Sequence, residues 1–303
     1  MANFKRFWAQ KLLVKVSKVN KRNVTSNAYN YSDHEAFRKV LNDAHDIVVM
    51  TGTDFSKDGC NNKSISKTEK NDRWRNFKVE HLSNIRAFKA NPSLVWEFYN
   101  YRRNSAFRSY PNKVHLNLAD FERKCKRENK EFNIITNNVD GLHIRAGSQN
   151  VLELHGSLRK VICTNNQCKT IETVYDDPIV PAFKYMLDPA LPQSEFSPID
   201  ENQLPKCRKC GCLVRPNIVW FGEKLDTDKM LQVSHLLLVC DLLIIIGTSL
   251  SNYPAVLFGL NAAKRGIPVA EFSMVNTPSD NRFMFHFQGP LEETVPKALG
   301  IVQ

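Results

Sequence analysis

The first 32 residues contain no aspartate or glutamate, and nowhere does the chain run for about 18 uncharged apolar residues. Its nearest approach, Leu236 to Gly247, is short and broken by Asp241, which excludes a helical membrane span and points to a soluble protein. A secretory leader is also lacking. The eight cysteines (60, 125, 163, 168, 207, 210, 212 and 240) therefore point to thiols and metal ligands in a reducing compartment rather than to a disulfide framework. Internal repeats are absent too.

What is present is enough for a full core. With 303 residues, 42% of them hydrophobic, one large domain carrying a smaller insertion is expected. Of the formal net charge of +11, seven units come from Lys5, Arg6, Lys11, Lys15, Lys18, Lys21 and Arg22, leaving +4 for the rest. That remainder makes a nucleic-acid partner unlike this chain. The acid-free basic leader, residues 1–32, fits a mitochondrial presequence, with a solvated basic tail as the alternative.

Ser32-x-x-Glu35 predicts a capped helix start, and Phe37, Val40, Leu41 and Ala44 continue it at helical spacing. Apolar runs follow at Ile47–Met50, Phe132–Thr136, Leu242–Ile246 and Val269–Phe272, each ending in polar or glycine residues and separated by helical segments. Buried strands alternating with helices predict an α/β fold with a doubly wound parallel sheet of Rossmann type. Ligands of such sheets sit at the carboxyl ends of the strands, here Gly52-Thr53-Asp54, Asn137 to Asp140, Gly247-Thr248-Ser249 and Ser273. Residues 56–75 are polar and aperiodic and read as a long loop; a helix is expected from about Ser93 through Arg103.

Cys163-x4-Cys168 and Cys207-x2-Cys210 fit the two knuckles of a closed four-thiolate zinc site, which leaves no open position for catalysis. Cys212 competes with Cys210, and the tighter Cys210-Gly211 knuckle favours Cys210. His155, before Gly156, sits where a turn can expose an imidazole; such a histidine satisfies a backbone group more often than it catalyses. Tyr99 and Arg102 share one helix face, and a guanidinium beside a phenol can clamp a carboxylate.

Four segments together resemble the sirtuin family of NAD-dependent protein-lysine deacylases: Asn138-Val139-Asp140-Gly141-Leu142-His143, Glu153-Leu154-His155-Gly156-Ser157, Arg215-Pro216-Asn217-Ile218-Val219-Trp220-Phe221-Gly222-Glu223 and Gly247-Thr248-Ser249. The likeness runs from about residue 33 to 303. It implies a Rossmann-type part at about 33–157 and 217–303 and a zinc module at about 158–216. Trp96 to Arg103 and Phe285 to Pro290 are most similar to the mitochondrial class III branch, which removes succinyl, malonyl and glutaryl groups.

The resemblance implies NAD bound by Gly52, Asn138, Asp140, Gly247, Thr248, Ser249 and Ser273, and His155 as general base, leading to nicotinamide and O-acyl-ADP-ribose. It implies acylated lysine side chains of proteins as partners. Val219, Trp220, Phe221 and Gly222 would line up with the substrate peptide as a strand, with Tyr99 and Arg102 on the acyl carboxylate.

The chain also departs from the family. Gly52-Thr53-Asp54 replaces the usual Gly-Ala-Gly loop, and a charge about 4 Å from a phosphate costs roughly 1 kcal/mol in water and about 4 kcal/mol at an effective dielectric of about 20. Asn61-Asn62-Lys63-Ser64-Ile65 stands where a Pro-x-Phe-Arg segment is usual, and Asn137, Asn252, Ser273 and Val275 replace other common contacts. Two expectations follow: a deacylase with a rebuilt cofactor loop, or a non-catalytic protein that binds acyl-lysine.

Overall fold

The computed structural model describes residues 33–52, 73–184, 199–248, 255–274 and 283–301. Helix α1 (His34–Asp43) begins where the Asp33 carboxylate accepts the N–H groups of Glu35 at 3.0 Å and Ala36 at 2.9 Å. Asp33 is thus the cap where the sequence suggested Ser32, which lies outside the described residues. Strand β1 (Asp46–Thr51) follows.

The polar stretch read as a loop through Arg75 ends earlier. β2 (Arg73–Trp74) and β3 (Phe77–Lys78) form a small hairpin, and Trp74 is buried. Indole burial gives an otherwise polar segment a fixed place. Short helices α2 (Val79–Leu82) and α3 (Ile85–Ala90) lead into α4 (Pro92–Arg108), capped by Asn91 with proline in its first turn. Helix α4 runs five residues beyond the expected Arg103, and most of it is buried.

Next come α5 (Lys113–Arg127), β4 (Glu131–Thr136), α6 (Leu142–Arg145), β5 (Val151–Glu153), β6 (Gly156–Cys163), β7 (Ile171–Thr173) and β8 (Val214–Ile218). The chain closes with α7 (Thr227–Val239), β9 (Leu242–Ile246), α8 (Ala255–Lys264), β10 (Val269–Ser273), β11 (Phe285–Gln288) and α9 (Leu291–Leu299).

Six strands form one sheet in the order β11-β10-β9-β1-β4-β5, every pair parallel, as the apolar runs predicted. Alternation places Ile47 and Val49 on one face with Phe37, Leu118, Phe121, Val295 and Ala298 from α1, α5 and α9. Val48 and Met50 face the other way, against Val233 and Leu237 of α7 and Ala262 of α8. From β1 the chain moves out through β4 and β5, then returns to β9 on the opposite side of β1. The sheet therefore switches direction between β1 and β9, which opens a crevice at their carboxyl ends.

Strands β7, β6 and β8 make a separate antiparallel sheet. Its core is shared with α4, whose Trp96 donates its indole N–H to the Val214 carbonyl at 2.9 Å. Arg103, 1% exposed, donates to the carbonyls of Leu158, Val174 and Asp176. Burial lowers its pKa to about 10, opposed by Asp177 and Asp176, so the guanidinium stays charged at neutral pH.

Candidate functional site

The β1 and β9 ends meet almost without clearance. A Cβ added to Gly52 would lie 2.6 Å from Thr248 Cγ2 and 2.9 Å from the Gly247 carbonyl oxygen, so any side chain there would force the crevice apart. Gly247 adopts φ 58°, a turn that glycine takes without strain. The Thr248 hydroxyl is buried and has no hydrogen-bond partner among the described residues. A bare backbone turn beside an unsatisfied hydroxyl is a fitting floor for a nucleotide.

The β4 end supplies Asn138, buried, whose N–H bonds Thr136 Oγ1 at 3.1 Å, and Asp140, whose carboxylate accepts the Leu142 N–H at 2.9 Å at the start of α6. Thr51 Oγ1 ties the two strand ends together, 2.8 Å from Thr136 Oγ1 and 2.9 Å from His143 Nε2. Burial pushes His143 down to about 3, so the imidazole is a neutral structural partner. Ser273 closes β10 and is buried, with its carbonyl taking the Gly289 N–H at 3.0 Å. Gly52, Asn138, Asp140, Gly247, Thr248 and Ser273 thus share one rim of the sheet. Ser249, Asp54, residues 61–65, Asn252 and Val275 lie outside the described residues.

His155 occupies the turn between β5 and β6. Gly156 has φ 89°, and a Cβ on it would sit 2.0 Å from the Asn217 carbonyl oxygen, so only glycine lets this turn pack against β8. The His155 carbonyl accepts the Val219 N–H at 2.9 Å, locking the imidazole-bearing turn to the segment after β8. Burial first, then the charge of Lys229, lower the His155 pKa below its ordinary value of 6.5. Lys229, on α7, is anchored by the Glu153 carbonyl at 2.6 Å. A partly buried imidazole kept neutral at neutral pH is suited to accept a proton.

A third group of side chains surrounds Trp220. Its indole N–H donates to the Tyr99 hydroxyl at 2.8 Å, and its ring lies 5.9 Å from Tyr99 and 5.5 Å from Phe88. The Arg215 guanidinium stacks 4.4 Å over that ring and pairs with Glu223 at 2.8 Å, while Glu223 also accepts the Trp220 N–H at 2.9 Å. Arg102 is half-buried, 5.9 Å from the Tyr99 ring centroid, and no carboxylate partners it among the described residues. Burial raises the Tyr99 pKa, opposed chiefly by that guanidinium.

The segment expected to pair with a peptide, Val219 to Gly222, directly follows β8. The N–H groups of Val219, Trp220 and Phe221 are already committed to His155, Glu223 and Ser83. Phe221 is exposed at 60%, a side chain turned outward from the Trp220 wall, and Gly222 takes the positive-φ turn that follows. Sequence reasoning missed Ser83 and Lys229 and saw Arg215 and Glu223 only as the ends of a resembling segment, because each acts through a contact distant in sequence or through a turn.

Cys163, Cys168, Cys207 and Cys210 converge, with all four sulfur atoms within 4.8 Å of one another. Cys163 and Cys210 are 3.4 Å apart, and Cys168 and Cys207 are 3.8 Å apart. A tetrahedral zinc with Zn–S bonds of about 2.3 Å sets its sulfurs roughly 3.8 Å apart, so the donor set fits the metal. The tight knuckle is real: the Gly211 N–H returns to the Cys207 carbonyl at 2.9 Å. Cys212 stands outside the cluster, near Asn165 Nδ2 at 3.7 Å. Cys125 and Cys240 are core thiols, pushed up to about 11 by burial.

Residues 67–254 match the family model described as Sir2 family. The chain is 42% identical over 272 residues to an NAD-dependent protein deacylase of Daphnia pulex, covering 88% of this chain and 96% of that one. It is likewise 42% identical over 267 residues to the mitochondrial NAD-dependent protein deacylase sirtuin-5 of Xenopus tropicalis, covering 87% and 84%. Among solved structures, a Sir2 homolog–NAD complex superposes with a TM-score of 0.68 at 29% identity, covering 88% of this chain and 93% of the other. Sir2Tm bound to a propionylated peptide gives a TM-score of 0.65 at 27% identity, covering 89% and 100%. Parallel sheet, glycine-tight crevice, turn-borne histidine and four-thiol cluster come together with these likenesses in one conclusion: the chain belongs to the Sir2 family.

Proposed function

We propose that this protein is an NAD-dependent protein-lysine deacylase that removes acidic acyl groups, with succinyl, malonyl and glutaryl as the class. The observation that carries the acyl preference is Arg102, a half-buried guanidinium beside the Tyr99 ring with no carboxylate partner among the described residues. A partly desolvated cation without its anion is a ready receptor for one on a ligand. Relatives named NAD-dependent protein deacylases support the reaction class, and none of their names favours the non-catalytic alternative. The mitochondrial name of the Xenopus tropicalis relative and the acid-free leader support a mitochondrial location.

In this reading Gly52, Asn138, Asp140, Gly247, Thr248, Ser249 and Ser273 would hold NAD, which when bound supplies the electrophilic sugar carbon and the nicotinamide leaving group. His155, neutral because of burial and Lys229, would take the proton from a ribose hydroxyl. Trp220 would supply the apolar wall beside the lysine stem, while Val219, the exposed Phe221 and Gly222 would set the path of the substrate chain. The four cysteines would hold a structural zinc, which would fix the β6–β8 frame on which His155 and Trp220 ride.

The test is Arg102→Met, assayed on matched succinyl-lysine and acetyl-lysine peptides. Loss of a charge-assisted pair predicts that the succinyl-to-acetyl ratio of kcat/KM falls by about a hundredfold. An unchanged ratio would assign Arg102 to structure alone.

A further inference from the structure

The C-terminal end of α4 gathers three guanidiniums around Phe107. Its ring lies 4.9 Å from the Arg103 guanidinium and 5.2 Å from that of Arg159, and its carbonyl accepts from Arg145 at 3.2 Å. Arg103 is engaged by the carbonyls of Leu158, Val174 and Asp176. Arg145 closes the helix, donating also to the Ala106 carbonyl at 3.1 Å and to that of Ser109. Arg159 differs. It stands on β6 where the pairing with β8 shifts register between Ser157 and Val161, an irregularity of the kind that re-aims a side chain. Its guanidinium makes no hydrogen bond or ion pair among the described residues, and its Nε is buried without an acceptor.

Two observations mark this place as a receptor. Burial first, then repulsion from Arg145, lower the Arg159 pKa, opposed by Tyr175, Glu153 and Asp140. Both carboxylates are engaged elsewhere, Glu153 by Lys160 at 2.9 Å and Asp140 by the Leu142 N–H at 2.9 Å. Two neighbouring cations are therefore held together with no carboxylate in contact among the described residues. The second observation is an aromatic rim. Tyr175, 72% exposed, lies 5.9 Å from the Arg159 guanidinium, and it is placed there because the Arg159 carbonyl accepts the Val174 N–H at 2.7 Å. Tyr110, 77% exposed, lies 5.9 Å from the Arg145 guanidinium. Arginine and tyrosine are the side chains most enriched among those that dominate binding energy at protein interfaces.

We propose that Arg159, Arg145, Tyr175 and Tyr110 form a docking surface for an acidic segment of a partner protein, with carboxylates on the guanidiniums and the tyrosine rings packed beside them. Charge complementarity chooses the occupant. Two guanidiniums match one or two carboxylates, whereas proteins that bind DNA tightly neutralise about six to ten phosphates along a stripe. The surface makes no use of the acyl-lysine reading, so each can fail alone.

The experiment is fluorescence anisotropy at low salt with a labelled peptide of alternating Asp and Glu, titrated with the full chain as wild type, Arg159→Gln, Tyr175→Ala and Lys39→Gln. Lys39, an exposed cation on α1, reports general attraction by net charge. Arg159→Gln is expected to weaken binding about tenfold and Tyr175→Ala about fivefold, while Lys39→Gln changes it less than about twofold. Tyr175 is exposed, so its variant reads the surface even where Arg159→Gln lowers stability. Absence of peptide binding, or equal losses from Arg159→Gln and Lys39→Gln, would overturn the proposal. So would a single-stranded oligonucleotide that binds more tightly than the peptide and depends as strongly on Arg159.

Discussion

The six-stranded sheet and the β6–β8 module are held together by different physics. In the sheet, apolar side chains of β1, β4 and β9 alternate between two helix-covered faces, and each fully buried aliphatic contributes about 1.5–3 kcal/mol. The module has a smaller core and depends on discrete polar ties: four converging thiols and the Arg103 guanidinium on three carbonyls. A core spread over many residues tolerates the loss of one. A module built on single fasteners does not, and the His155 turn is attached to the module.

The largest expected effect breaks the comparison at the metal. Cys210→Ser, or chelation of the purified protein, removes a ligand set whose binding free energy is on the order of 10 kcal/mol in small zinc domains. Hydrogen exchange should show β6–β8 losing protection while β1, β4 and β9 keep theirs. Uniform protection across both regions would contradict the division.

Second in size is Arg103→Met, which leaves buried carbonyls of Leu158 and Val174 without a donor. A loss of about 3 kcal/mol is expected, read as a lowered Tm. A substitution of similar volume on the sheet side, Met50→Leu, should cost less than about 1.5 kcal/mol. Equal losses would blur the distinction.

The smallest effect sharpens the link between the regions. Lys229 on α7 lowers the pKa of His155 through its charge, secondary to burial. A general base works when deprotonated, so activity should fall as pH drops through a His155 pKa below 6.5. Lys229→Met removes the opposing cation and should move that acid limb of kcat/KM to higher pH. A limb that stays put would sever Lys229 from the proton-accepting group.

The sheet was legible in the sequence because its strands are continuous apolar runs; Leu242–Ile246 matches β9 residue for residue. β5, three residues long, and β11, four, are too short to show a pattern, and Asp33 rather than Ser32 caps α1 because two adjacent residues can both serve. The cysteine spacing left Cys210 and Cys212 competing until the fold turned one sulfur away. Ser83 was invisible because it meets Tyr99 only after the α2–α4 turn brings residues 16 apart together. Arg103 had no assigned role in the sequence, since nothing local reveals the three carbonyls it meets in the module.

The central claim is that this rim and this histidine turn over NAD against an acidic acyl-lysine. Nicotinamide release with a succinyl-lysine peptide tests it most directly, with His155→Ala measured beside wild type. The account predicts release in step with loss of the succinyl group, falling by at least about a thousandfold in a variant that melts like wild type. No release from wild type, or undiminished release from His155→Ala, would contradict it.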